Sequence, residues 1–291
     1  MHNFLILAMF ASLMLLSTDT RAADWRVPSL EDTVYMHTEE GLVIIELATF
    51  MAPAHAQRFR QLIKEGFYDG LPFYRVIDGF VVQAGDAANT KKTEHRSPLE
   101  PEFTRATSEQ STFVSVQRPA LLAPETGYLH GFSAGRDPES KQEWLLHCPG
   151  VVAMARATEA NTATTDFYVV IGQAPRHLDR NMSVFGRVLY GMDTLQRIKR
   201  GKRDQGGVIS EPSLQSKIEW AKLANDIPLT ERFAIQVATG TAEQTQNRLQ
   251  AARSLDNPFY VFKGDGNRPI DLCYYQTQVK VVAPTSVQPD A

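Results

Sequence analysis

From Thr33 to about Ala224 the chain reads as roughly eight short β-rich runs and two short helices, with no strand–helix–strand alternation. That order constrains the fold more than any other feature. Parallel strands need a helical crossover between them, so this pattern excludes a parallel sheet and leaves an antiparallel barrel or sandwich. TVYMH and LVIIELAT flank a polar Glu39-Glu40-Gly41 turn and form a hairpin. PAHAQRFRQLIKEGF follows, with Pro53 suited to a first helical turn, an apolar stripe at Ala56, Phe59, Leu62 and Ile63, and Gly66 as the stop. In FYRVIDGFVVQAGD, β-formers broken by Asp78-Gly79 give a second hairpin. GVVAMARA, DFYVVIG and SVFGRVL are further short strands, MDTLQRIKRG is a second helix ended by Gly201, and KIEWAKLA is a closing strand.

Two stretches stand outside this pattern. Residues 87–147 are polar, with five scattered prolines, and only short strand-like pieces such as TFVSV appear there, so the region reads as a long functional or mobile insertion. From about Pro228 the chain changes character. PLTERFAIQVATG and DLCYYQTQVKVV read as strands, as does NPFYVFKG, and TAEQTQNRLQAARS reads as a helix opened by a Thr241/Gln244 capping box. The aromatic residues Phe259, Tyr260, Phe262, Tyr274 and Tyr275 are expected to dock this appendage onto the main core, and PTSVQPDA at the end reads as frayed.

The composition narrows the function. With 291 residues and 43% apolar content the chain can bury a full core. Thirty basic against thirty-three acidic residues give a net charge of −3, which argues against a nucleic-acid binder. Residues 4–16, FLILAMFASLMLL, are too short an apolar run to span a bilayer comfortably and suit the core of an export signal, with small residues at Thr20 and Ala22 fitting cleavage after Ala22. An uncleaved anchor and a buried first helix are the other readings of that run. Export places the mature protein in a periplasm or similar compartment, with no further attachment to the membrane. Cys148 and Cys273 form no metal or redox motif, and they are either one long-range disulfide or two buried thiols. His37, His55, His95, His130 and His147 show no metal-ligand spacing, so neither a metal nor another cofactor is expected.

Within the second hairpin, Arg75 and Gln83 sit eight positions apart, and the hairpin alone does not say why. FYRVIDGFVVQAGD, GVVAMARA, DFYVVIG and LDRNMSVFGRV occur in that order, and together they resemble the cyclophilin-type peptidyl-prolyl isomerases over about residues 33–224. The resemblance implies a mainly β fold: a closed eight-stranded antiparallel barrel capped by two helices, to which this chain adds the 87–147 insertion and a small C-terminal α+β extension over 228–291. It implies catalysis of cis/trans rotation at X–Pro bonds in proline-containing peptides and in unfolded or folding exported proteins. A proline-binding module without turnover is the alternative.

Residue by residue, the resemblance assigns Arg75 as the catalytic donor, Phe80 as a pocket wall, and Gln83 as the group that holds Arg75 and bonds the substrate backbone. It places Met154, Ala155, Tyr168 and Leu178 around the proline pocket, Tyr168 standing where the family usually has phenylalanine. Several positions depart from the family pattern. Arg156 stands in place of an asparagine, His177 in place of a tryptophan, Met182 in place of a histidine, and Tyr74 where histidine is frequent. Asp166 replaces a glutamine and puts a carboxylate within expected reach of Arg75 or Arg156. Loss of the tryptophan implies weak binding of cyclosporin.

Overall fold

The computed structural model describes residues 24–263 and 267–284, so the leader expected at 1–22 lies outside the described residues. The chain begins with β1 (Trp25–Arg26), β2 (Thr33–Thr38), β3 (Gly41–Leu47), helix α1 (Pro53–Lys64), β4 (Arg75–Ile77) and β5 (Val81–Ala84). The insertion holds β6 (Arg105–Ala106), β7 (Val114–Gln117), β8 (Glu125–Leu129), β9 (Phe132–Asp137) and β10 (Gln142–Leu145). Then come β11 (Val151–Met154), β12 (Phe167–Val170), β13 (Val184–Tyr190), α2 (Met192–Arg197) and β14 (Ile218–Leu223). The last elements are β15 (Ala234–Ala238), α3 (Glu243–Ser254) and β16 (Val279–Val282).

Eight strands form one antiparallel sheet in the order β14-β2-β3-β13-β11-β12-β5-β4. The expected closed barrel is not formed, and the sheet is an open half-barrel. Its edge strands β4 and β14 share no ladder. Pro72, just ahead of β4, meets Lys217 in a single bridge, and Arg75 meets Val208 in another. Pro72 has no N–H to give, so regular pairing stops there. Isolated backbone bonds, Gly70 N–H to Ile218 O at 2.7 Å and Phe73 N–H to Ser216 O at 2.9 Å, tie the two edges together instead.

Alternation along each strand sets what lies on either side. On β12, Phe167 and Val169 join Val34, Met36, Ile45, Phe59, Leu62 and Phe185 in the half-barrel interior, which side chains fill. The intervening Tyr168 and Val170 point outward, yet they are buried against Tyr128, Leu129, Trp144 and Leu272. On β2 and β3, Tyr35 and Ile44 likewise face out and are covered by Ile235 and Val237 of β15. Over the middle strands of the sheet both faces are therefore dry, which is why runs such as VVAM and FYVV carry no polar group beyond the Tyr168 hydroxyl.

Helix α1 buries its apolar stripe as the periodicity requires, and Gly66 at φ +62° closes it with Phe67 N–H bonding Leu62 O at 2.9 Å. Its N-terminus lacks a side-chain cap of its own. Glu102, from the insertion, supplies one: its two carboxylate oxygens accept from Ala54 N–H and His55 N–H, each at 3.0 Å. The second helix is shorter than the sequence indicates. It ends at Arg197, because Ile198 turns to an extended conformation and buries its side chain in the core instead of continuing to Gly201.

Further expectations change. Residues 87–104 carry no strand, but the short strand pieces beyond them are more ordered than expected: β6–β10 form a five-stranded sheet in the order β6-β10-β9-β8-β7 that covers the outer face of the half-barrel. NPFYVFKG is not a strand, because Asn257 takes its backbone into a turn, accepting from Phe259 N–H through its side chain and from Tyr260 N–H through its carbonyl. Phe259 and Phe262 are consequently exposed, as are Tyr260 and Tyr274, and of the five aromatics only Tyr275 packs on the core. Helix α3 forms without the capping box; Ala242 precedes it, and Thr245 bonds Thr239 O at 3.0 Å. DLCYY is likewise a turn, with Cys273 disulfide-bonded to Cys148, and the strand begins only at Val279.

Candidate active site

The spacing of Arg75 and Gln83 follows from the hairpin that carries them. Asp78, Gly79 and Phe80 make the turn, with Gly79 at φ +67° and Phe80 N–H bonding Ile77 O at 3.1 Å. The register then pairs Ile77 with Val81, Val76 with Val82, and Arg75 with Gln83. Directly opposed residues share a face of the sheet. Arg75 Nη1 donates to Gln83 Oε1 at 2.9 Å, and its Nε donates to Gly206 O at 3.1 Å. Its Nη2 has no bond among the described residues.

A directed chain of donors stands behind that contact. Gln83 Nε2 donates to the Tyr74 hydroxyl at 2.5 Å, and that hydroxyl donates to Asp166 Oδ2 at 2.7 Å. Asp166 Oδ1 accepts from Asp86 N–H at 3.0 Å and from Thr165 Oγ1 at 3.1 Å. A carboxylate only accepts, so it orients every donor in the series and presents the Gln83 carbonyl to Arg75. Burial, and then the neighbouring Asp166 charge, raise the Tyr74 phenol well above its ordinary value, so it stays a donor throughout the working range. Gly85 makes the approach possible. It sits at φ +144°, and a Cβ there would lie 2.2 Å from the Asp166 carboxylate.

Arg75 and Gln83 form one side of a pocket of about 180 Å³, whose other walls are Phe80, Val81, Ala155, Arg156, Tyr168, Leu178 and Met182. Engineered cavities of about 150 Å³ admit benzene, so a proline ring fits. The Tyr168 ring lines the pocket, and its hydroxyl lies 3.1 Å from His147 Nε2. Asp179 accepts from His147 N–H at 2.8 Å and lies 3.3 Å from Nδ1. The carboxylate places the ring proton on Nδ1, so Nε2 accepts from the Tyr168 hydroxyl. Burial raises the Tyr168 phenol strongly, so it also stays protonated.

Most of the expected site residues thus come together. Arg75, Phe80, Gln83, Ala155, Arg156, Tyr168 and Leu178 all line the pocket. Three stand elsewhere. Met154 points the other way on β11 and is buried in the half-barrel interior. His177 lies against Phe80, with ring centroids 6.5 Å apart and planes at 22°. Asp166 lies behind the wall and pairs with neither Arg75 nor Arg156; the Tyr74 hydroxyl and the Asp86 amide occupy its oxygens. Arg156 is spread over backbone carbonyls, with Nε and Nη2 on Asn181 O and Nη1 on Ala157 O and Thr158 O.

Tyr74 and His147 escape a reading by spacing. The signal that could have found them is a polar atom in need of a partner: a tyrosine on a buried strand requires one for its hydroxyl. Among the described residues, no group of three or more His, Cys, Asp or Glu side chains could hold a metal ion.

Residues 33–222 match the family described as cyclophilin type peptidyl-prolyl cis-trans isomerase/CLD. A probable peptidyl-prolyl cis-trans isomerase of Brucella suis is 28% identical over 182 residues, covering 62% of this chain and 79% of that protein. The peptidyl-prolyl cis-trans isomerase ppi1 of Schizosaccharomyces pombe is 28% identical over 196 residues, covering 67% and 98%. In fold, the chain is similar to the crystal structure of cyclophilin AquaCyp293 from Hirschia baltica, with a TM-score of 0.72 at 24% identity, over 89% of this chain and 94% of that one.

Proposed function

The chain belongs to the cyclophilin-type peptidyl-prolyl cis-trans isomerases, and we propose that Arg75 is the group with which it accelerates rotation about X–Pro bonds. The planar X–Pro amide resists rotation by about 18–20 kcal/mol, because rotation breaks its resonance. At the twisted midpoint the prolyl nitrogen regains a lone pair. A guanidinium held beside the proline ring bonds that nitrogen better in the twisted amide than in the planar one, and this difference lowers the barrier. No nucleophile, metal or proton transfer enters.

The observation that carries the reading is the fixed Arg75 guanidinium, locked by Gln83 at the mouth of an apolar pocket and left with unbonded N–H groups. Phe80, Leu178 and Met182 give the ring its apolar walls, while Tyr168 closes the floor. Gln83 and the backbone at Ala155 and Arg156 hold the flanking peptide. His177, stacked on Phe80, stands at the position matched to a tryptophan common in eukaryotic cyclophilins, and weak cyclosporin binding belongs to the same proposal.

The reading extends to place and partners. The substrates are proline-containing segments of folding polypeptides in an extracytoplasmic, periplasmic compartment. The apolar 4–16 run supports export, as does the Cys148–Cys273 disulfide, since such bonds persist in oxidising surroundings. The division into a leader at 1–22, an isomerase unit at 33–224 and an extension at 228–291 belongs to the same proposal. A protease-coupled assay on an Ala-Pro tetrapeptide tests the activity: cis-to-trans conversion above the uncatalysed rate is expected. Peptide binding with no acceleration would leave a binding module instead.

A further inference from the structure

Two rims of the proline pocket lie on neighbouring strands whose pairing ends before the mouth. On one rim Ala155 and Arg156 follow β11, and on the other Leu178 and Met182 precede β13. The β11–β13 ladder runs out at Met154, whose N–H donates to Ser183 O at 3.1 Å. The next amide, Ala155 N–H, turns away to Asp166 O at 2.8 Å, on the side of β12. Past Met154, no backbone bond among the described residues joins the two rims directly. The second rim is not relaxed either. Arg180, beside Asn181, sits at φ +63°, a left-handed conformation that is costly for a residue with a Cβ and persists only where its surroundings hold it.

The Arg156 side chain continues the connection that the backbone drops. Its Nε and Nη2 both donate to Asn181 O, at 3.2 and 2.9 Å, across the gap. Its Nη1 donates to Ala157 O and Thr158 O on its own rim, each at 2.9 Å. All four bonds go to neutral carbonyls, so the guanidinium acts here through its shape. A planar fork of five donors can hold three carbonyls at once, which a single ammonium cannot do with the same fixed geometry. The fork is itself backed from the insertion, since its central carbon lies 5.5 Å from the centroid of the Phe103 ring.

We propose that Arg156 is a positioning residue: its side chain clamps the two rims together, fixes Ala155 against Leu178 and Met182, and so sets the grip of the pocket on the proline ring. This role is separate from any contact of its backbone with the peptide, and it rests on the reading of this pocket as the isomerase site. Arg75 acts on the half-turned amide alone. The rims, by contrast, hold the ring before rotation and during it. Loosening them removes binding that ground state and transition state share, which raises KM and leaves kcat in place.

The test compares wild type, Arg156→Gln and Arg156→Lys on one Ala-Pro tetrapeptide, with KM and kcat from the protease-coupled assay and Kd from NMR titration of the full chain. Arg156→Gln should raise KM and Kd about tenfold while kcat changes less than about twofold. Arg156→Lys keeps the charge and loses the fork, so it should show a rise of the same order, at low and high salt alike. Wild-type KM and Kd in Arg156→Gln would overturn the proposal. So would full rescue by Arg156→Lys, which would make the charge the working part, or a fall in kcat at unchanged Kd. A measurement on the wild type covers a variant that fails to fold: the Arg156 Nε–H, held on Asn181 O, should exchange slowly with water, and rapid exchange there would overturn the clamp as well. Because Kd is read without turnover, a chain that binds the peptide and does not isomerise it loses the isomerase reading and still tests this one.

Discussion

Tyr74 and Asp166 each look like an isolated departure from the family pattern, yet the structure joins them in one hydrogen-bonded series that ends on Arg75. Sequence could not show this, because the two are 92 positions apart and meet only through the pairing of β5 with β12. The Arg75–Gln83 contact, by contrast, was legible through the family resemblance, though not from the Asp-Gly turn alone, because the turn includes Phe80 and only that register sets Arg75 opposite Gln83. Tyr74→Phe frees the Gln83 amide to turn away from Arg75. The expected result is a roughly tenfold fall in kcat with KM little changed, the smaller end of what a misplaced donor costs, in the same protease-coupled assay. Tyr168→Phe has a different consequence. It strips His147 Nε2 of its partner in a buried setting, and urea unfolding should show a loss of about 1–3 kcal/mol.

At the scale of elements, what the sequence carries well is the half-barrel itself. Short β-branched runs, one amphipathic helix and turn residues at Glu39-Glu40-Gly41 and Asp78-Gly79 each act locally, so they can be read locally. The insertion is less legible. Its strands β8 and β9 contain Gly127 and Gly135, where a Cβ would strike Val114 O and the Trp144 ring, so small residues demanded by close packing mimic a loop. The open seam was hidden as well: it lies where Pro72, with no N–H to give, meets Lys217 in a single bridge. Between elements, Glu46 on β3 is gripped by Arg187 on β13 and Arg26 on β1. Burial alone would push its carboxyl upward, but the two guanidiniums more than offset this and hold it below its ordinary value of 4.5. The unfolded chain then takes up the proton first as pH falls. The stability from this cluster is complete above the ordinary value and drains away as pH drops through the lower folded one. Asp86, Glu102 and Glu143 shift the same way and add to it. Denaturant midpoints measured from pH 7 to pH 3 should fall mainly below pH about 4.5. Glu46→Ala should cost about 3–5 kcal/mol at pH 7, because it leaves the buried Arg187 guanidinium without its counter-charge, beside the partly exposed Arg26.

Across the whole molecule, the half-barrel, the insertion sheet and the C-terminal segment share one buried apolar cluster, and specific polar and covalent links cross it. Arg187 bonds Gly131 O of the insertion and Thr277 of the C-terminal segment as well as Glu46. Cys148–Cys273 closes a loop across 125 positions. Loop-entropy reasoning gives such a link about 5 kcal/mol, so Cys273→Ser or reductant should lower the unfolding free energy by up to that amount in a chemical melt. The same links bring the outward Tyr168 floor of the pocket under cover of the second sheet, so the site depends on parts of the chain far outside the hairpin. All of this arrangement serves one claim, that a guanidinium fixed at the pocket mouth favours the half-turned X–Pro amide. Isomerisation rates of the wild type and Arg75→Ala, measured side by side on one Ala-Pro tetrapeptide, test it most directly. A fall of about 10²–10³-fold with an unchanged melting curve is the predicted result; an Arg75→Ala rate equal to that of the wild type would contradict it.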